Sequence, residues 1–124
     1  MKIGLVLILV LSVSGVMMSI GTSVATTNSD FDMHGTITSV LSSSCIVVGN
    51  TAVNLDGIDT SGLYKITNSY LVNDLKSYYT GKDVFVKGNY VYLDLQGSYN
   101  SESINEQIQK EIKGLLELQD DGAI

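Results

Sequence analysis

The sequence contains no arginine, no proline and no tryptophan, and it has a single cysteine and a single histidine among its 124 residues. Each absence removes a class of mechanism. Without arginine there is no guanidinium to hold a phosphate in bidentate fashion, and lysine offers only a mobile point charge in its place. Cys45 alone cannot form a disulfide within the chain, and with His34 it cannot close the four-ligand shell of a structural zinc ion. All seven basic side chains are lysines (Lys2, Lys65, Lys76, Lys82, Lys87, Lys110 and Lys113), set against thirteen acids. The resulting net charge of −6 argues against a broad basic surface for nucleic acid. The length suits one small domain.

What is present divides into an apolar beginning and a patterned remainder. Ile3 to Ile20 carries no charge, follows Lys2, and is dominated by Leu, Val, Ile and Met. With the small-residue pattern Ser23-Val24-Ala25 it reads as a secretory signal over residues 1–25, cleaved after Ala25. The competing reading is an uncleaved anchor, since a spanning helix needs roughly 20 apolar residues. Either reading places the rest of the chain outside the membrane, secreted or held at the cell surface, with the membrane met only through this first segment. Residues 26–32 read as a tether, 33–119 as the domain and 120–124 as a frayed tail.

Within the domain, Met33 to Leu41, Cys45 to Val48 and Thr51 to Leu55 are rich in Val, Ile and Thr and read as strands. Gly49-Asn50 between the last two suits a two-residue type II′ turn. Leu63, Ile66, Tyr70, Leu71, Leu75 and Tyr78 recur at helical spacing, and Gly81 follows as a stop. Asp83 to Lys87 and Tyr90 to Leu95 flank a second such turn, Gly88-Asn89. Ser103-Ile104-Asn105-Glu106 is a capping box opening a helix whose apolar face is Ile104, Ile108, Ile112, Leu115 and Leu118. Five strands, with one helix after the third and another at the end, predict an α+β, mainly β fold: a small, partly closed barrel of the OB type.

Taken alone, the polar residues give several candidates. Asp56 and Asp59, with Asp74 or Asp94 nearby, could hold a cation, although calcium prefers six or more oxygens and acids on loops are commonly solvated charge. Ser42-Ser43-Ser44-Cys45 has only His34 as a conceivable base, so it reads as a turn and a strand, with Cys45 a buried thiol or an intermolecular disulfide partner. His34 reads as an exposed strand residue. Tyr90, Tyr92 and Tyr99 offer either a stacking platform for bases or sugars or packing for a helix, the latter favoured by the acidic charge.

The segments Gly35 to Leu41, Ile46-Val47-Val48 and Val53-Asn54-Leu55-Asp56-Gly57-Ile58-Asp59-Thr60 resemble the thermonuclease (staphylococcal or micrococcal nuclease) family. There, a strand ending Val-Ile-Asp-Gly-Asp-Thr leads through a hairpin to Val-Arg-Leu-x-Gly-Ile-Asp-x-Pro-Glu. Leu75 to Val86, Tyr90 to Leu93 and Ser103 to Glu106 resemble later segments, so the likeness spans nearly the whole domain. It implies an OB-type barrel and, in active members, calcium-dependent cleavage of DNA or RNA by carboxylates, a glutamate base and two arginines.

Position by position, the resemblance implies a site without its chemistry. Ser44 stands where a metal-holding aspartate belongs, and Asn54 where the first arginine belongs. Asp59 is retained as the one carboxylate that would touch calcium, whereas Ser61-Gly62 replaces Pro-Glu and puts Gly62 in place of the base. The connection carrying the second arginine is reduced to Gly88-Asn89, with Lys87 beside it. The expectation is a non-catalytic, nuclease-like domain that needs no cofactor and binds a protein, glycan or other surface ligand through its barrel face. The alternative is a calcium-dependent nuclease with a reduced or rearranged site.

Overall fold

The computed structural model describes Ser23–Ala25, as backbone only, and Phe31–Ile124. The leader up to residue 22 and positions 26–30 of the tether lie outside the described residues. The elements are β1 (Ser23–Ala25), β2 (Met33–Ser42), β3 (Cys45–Val48), β4 (Thr51–Asn54), α1 (Lys65–Tyr79), β5 (Asp83–Lys87), β6 (Tyr90–Leu93), β7 (Ser98–Asn100) and α2 (Ile104–Asp120). Among the described residues, no helix is long and apolar enough to cross a membrane.

Both glycine turns form as their sequence predicts. Gly49 and Gly88 take φ of +61° and +59°, while Asn50 and Asn89 stay out of the left-handed region, as a type II′ turn requires. The turns fix the registers Val48↔Thr51 and Lys87↔Tyr90 that close the two hairpins. β2 joins the hairpins. Its first half, Met33 to Thr36, pairs with β5, and the half from Ile37 to Ser42 pairs with β3. The β2–β3 register slips by one residue at Thr38 and again at Leu41, and such bulges bend a strand. The first slip brings both Ile37 and Val40 onto the buried face, and the Thr38 hydroxyl donates to the Gly49 carbonyl at 2.9 Å.

The result is a five-stranded antiparallel sheet in the order β4-β3-β2-β5-β6, with β1 and β7 paired separately. The expected barrel is not closed. Its two edge strands are only four residues each, and the chain leaves β4 at Leu55 and turns away at Gly57, where φ is +81°. One backbone bond, from Asp56 N–H to the Asn89 carbonyl at 3.2 Å, links the two edges where strands of a closed barrel would run side by side.

A side chain completes that link. Asn105, in the first turn of α2, is 2% exposed. Its Nδ2 donates to the carbonyls of Asp56 (2.9 Å) and Asn89 (2.8 Å), and its Oδ1 accepts from Val91 N–H at 3.1 Å. Three backbone groups from both sides of the seam are thus satisfied by one amide.

The helices cover the core face, α1 against β2 and α2 against β6. α1 buries Leu71 and Leu75 as its periodicity suggests, with Leu63, Tyr70 and Tyr78 packed partly against the core, but Ile66 is 55% exposed and Thr67 and Tyr79 complete the inward face. The inward phase is set by Tyr79, whose hydroxyl donates to Gln107 Oε1 of α2 at 2.6 Å. The capping box of α2 forms, with Ser103 accepting from Glu106 N–H and the Glu106 carboxylate accepting from Ser103 N–H. The tail is not frayed. Gly122 at φ +75° lets Ala123 N–H reach the Leu118 carbonyl (2.9 Å) and Gly122 N–H reach that of Gln119 (3.1 Å), a Schellman closure with Ile124 packed on the core.

Replacing Asn105 takes the partner from the buried Val91 N–H and removes its bond to the Asp56 carbonyl, while the Asn89 carbonyl keeps its bond from Asp56 N–H. An unpartnered buried donor costs about 1–3 kcal/mol, so Asn105→Ala should lower the unfolding free energy by about 2 kcal/mol or more in denaturant titrations, against about 1 kcal/mol for the cap variant Ser103→Ala. Equal losses would show that the seam is held by something else.

Candidate functional site

The four positions matched to the nuclease site are each occupied with local structural work. Ser44 lies in the β2–β3 turn, its carbonyl accepting from Leu55 N–H at 2.7 Å and its own N–H donating to Ser42 Oγ. Asn54 is exposed at the end of β4, paired with Cys45. The Asp59 carboxylate accepts from Ser61 N–H at 3.0 Å, closing a small turn, while Asp59 N–H donates to Gln109 of α2. Bonds from the Ser61 hydroxyl and backbone hold the Asp59 carboxyl below its ordinary value. Gly62 sits against α2: a Cβ there would lie 2.8 Å from a methyl of Leu116, and the Gly62 carbonyl accepts from Gln119.

The other acids do not converge. Asp56 is tied to the seam through its carbonyl and N–H, and Asp94 to His34 at 2.8 Å. Asp74 lies on α1, where burial raises its carboxyl pKa. Among the described residues, no three His, Cys, Asp or Glu side chains gather closely enough to hold a metal ion. Cys45 is half-buried with a free thiol.

Two concavities flank β5 on opposite faces. On the core side, an open groove of about 280 Å³ runs between the β4 edge and the start of β2. Thr51 to Asn54, Met33, Val86 and the Gly88-Asn89 turn line it, so Asn54 is the one site-matched residue that faces a cavity. Asp32 closes one end. Its N–H donates to the Val86 carbonyl and its carboxylate accepts from Gly88 N–H, which fastens this tether residue to β5.

On the outer face, Asp83, Phe85 and Lys87 alternate with the buried Val84 and Val86. The register sets Phe85 between His34 and Tyr92. Phe31 stacks on Phe85 at 4.9 Å, His34 stacks on it at 4.4 Å, and Tyr99 meets Phe31 edge-on at 4.9 Å. Tyr92 and Tyr99 therefore pack against other rings on the outer face, not beneath a helix as the sequence reading preferred. The reason is strand parity: Val91 and Leu93 take the helix side, leaving Tyr90 and Tyr92 outward. A cavity of about 360 Å³ remains between Phe31, Tyr92 and Tyr99, with Lys87 and Ser101 at its rim. Burial first, then the nearby Glu106 and tyrosines, raises the Tyr92 phenol pKa, so its hydroxyl stays neutral.

Sequence reasoning did not find Phe31 and Phe85. The two-residue alternation of β5 carried the signal for Phe85, which stands on the same face as Lys87. His34, read as a plain exposed residue, turns out to be engaged by both Phe85 and Asp94.

No protein-family model, curated protein or solved structure matches the chain.

The Asp59 turn gives a direct test. In an NMR titration Asp59 should ionise below the reference value of 3.8, and Ser61→Ala should move it back up. Because the folded-state value is depressed, the turn stabilises above the unfolded-state pKa, and this contribution is lost as pH falls through the folded-state value.

Proposed function

We propose that this chain is a non-catalytic, nuclease-like binding domain, exported and held at or released from the cell surface, with an OB-type barrel left open at one seam. The strand order supports the OB reading: counted from β2, the five strands run 3-2-1-4-5, with a helix between the third and fourth. Such barrels bind ligands on the face of their second and third strands and on adjacent loops. Here that region corresponds to β3, β4 and the groove beside them.

The observation that carries the non-catalytic reading is the fate of the four matched positions. Asn54 brings no charge to the groove, Gly62 brings no base, Ser44 brings no carboxylate, and the Asp59 carboxylate is engaged by Ser61 N–H in its own turn. Loss of one charge-stabilising donor costs an enzyme about 100-fold or more. Loss of both arginines, the base and a metal ligand leaves no useful rate, even though such losses do not simply multiply.

Incubation of the full chain with calcium and single-stranded DNA should give no cleavage beyond that of an Asp59→Ala, Lys87→Ala double variant. Chelator-sensitive cleavage above that background would establish the nuclease alternative. Sequencing the N-terminus of the extracellular protein separates the two leader readings: a start near Thr26 means release without β1, and a start at Met1 means anchoring.

A further inference from the structure

We infer that the free edge of β4 is a docking site for an extended peptide, which joins the five-stranded sheet as a further strand. The inference rests on the groove beside β4 as the ligand face, and it makes no use of the missing nuclease groups.

The register fixes which backbone groups are free. Leu55 N–H donates to the Ser44 carbonyl, and Val48 and Thr51 flank a two-residue turn, so both of these pairs are of the hydrogen-bonded kind. Bonded and non-bonded pairs alternate along an antiparallel ladder. Thr51 and Val53 therefore bond to β3, whereas the N–H and carbonyl of Ala52 and Asn54 point outward. β4 is the last strand of its sheet, and among the described residues no hydrogen bond reaches those outward groups.

The groove lies where these groups are. Thr51, Ala52, Val53 and Asn54 all line it, whereas a cavity on one face of a strand would be lined by alternate residues. The opposite edge of the sheet is closed, since α2 packs on β6 and Asn105 takes the outward N–H of Val91. β4 lacks the charged and proline guards that blunt an edge, and its protection is its length of four residues.

Donors and acceptors in turn at strand spacing are matched by another polypeptide backbone. A second copy of this chain fits badly. It would bring its own β3 beside its β4, against the far wall formed by Met33 and the Gly88-Asn89 turn, and each copy carries a net charge of −6. A single extended segment meets neither obstacle. The buried Val53 and Val86 and the half-buried Met33 give the groove apolar surface, and Asp32 is the one charged residue that lines it. The segment that suits it alternates small apolar and uncharged polar residues and has basic ends.

The probe is the acetylated, amidated peptide Lys-Thr-Val-Thr-Val-Thr-Lys, titrated into the full chain in detergent and followed by amide hydrogen exchange. In the free chain Ala52 and Asn54 should exchange fast, and Thr51 and Val53 slowly. The peptide at roughly millimolar concentration, the affinity of about four net backbone hydrogen bonds, should slow Ala52 and Asn54 by about tenfold or more. N-methylating either its valines or its threonines separates the two edges of the bound strand: the set that faces β4 loses binding and the other keeps it. Ala52→Pro, which deletes an outward donor and no bond to β3, should weaken binding by about tenfold while the variant melts like the parent. A peptide with glutamate ends should bind more weakly than the lysine form. The inference is overturned if Ala52 and Asn54 are already protected in the free chain, if the peptide leaves their exchange unchanged, if both methylated peptides bind alike, or if the glutamate form binds as tightly. Cleavage of DNA in the calcium assay bears on the non-catalytic reading alone.

Discussion

The amide of Asn105 is the constraint on which the arrangement of the sheet depends. Two local hairpins and one long bent strand build a surface with two unpaired edges, and ladder hydrogen bonds do not bring those edges together. A single buried side chain does so together with the one backbone bond from Asp56 N–H to the Asn89 carbonyl, by engaging the Val91 donor and the Asp56 and Asn89 carbonyls. Because Asn105 lies two residues after the Ser103 cap, in the first turn of α2, the placement of α2 and the closure of the seam are one event. The same helix start therefore fixes the shape of the groove beside β4.

Much of this was legible in the sequence wherever the signal was local. Glycine-asparagine turns of fixed length set hairpin registers, and Ser103 with Glu106 announced a helix start. Legibility failed where a distant partner chose between local options. Ile66 looks like a core residue by spacing, but Thr67 is buried in its stead, in line with Leu71, Leu75 and the Tyr79 that bonds Gln107 of α2. Tyr92 could not be assigned a face until the parity of β5 and β6 was known together, and Tyr99 until β7 was placed beside them. The end of α2 was a missed local signal, since Gly122 has the position of a C-terminal cap. Asn105 itself gives no sign of its three partners, which lie 14 to 49 residues away along the chain.

The candidate site shows the same division. The positions that the resemblance singles out, Ser44, Asn54, Asp59 and Gly62, each have a local structural setting of their own. Gly62 admits Leu116 to a position that any side chain would contest. Asp59, an acid that elsewhere could bind a metal, is satisfied by the turn it makes. In contrast, the aromatic corner on the outer face depends on Phe31, a residue that composition alone assigns to a linker, and on its contact with Phe85 across the sheet.

Asn105 also lies late in the chain, after every strand whose edge it joins. A ribosome delivers both hairpins and the bent strand before it delivers the residue that fastens them, so the nascent sheet stays unfastened until α2 begins to emerge. The strands fold as two separate hairpins first, and the sheet locks only when the helix that follows them docks.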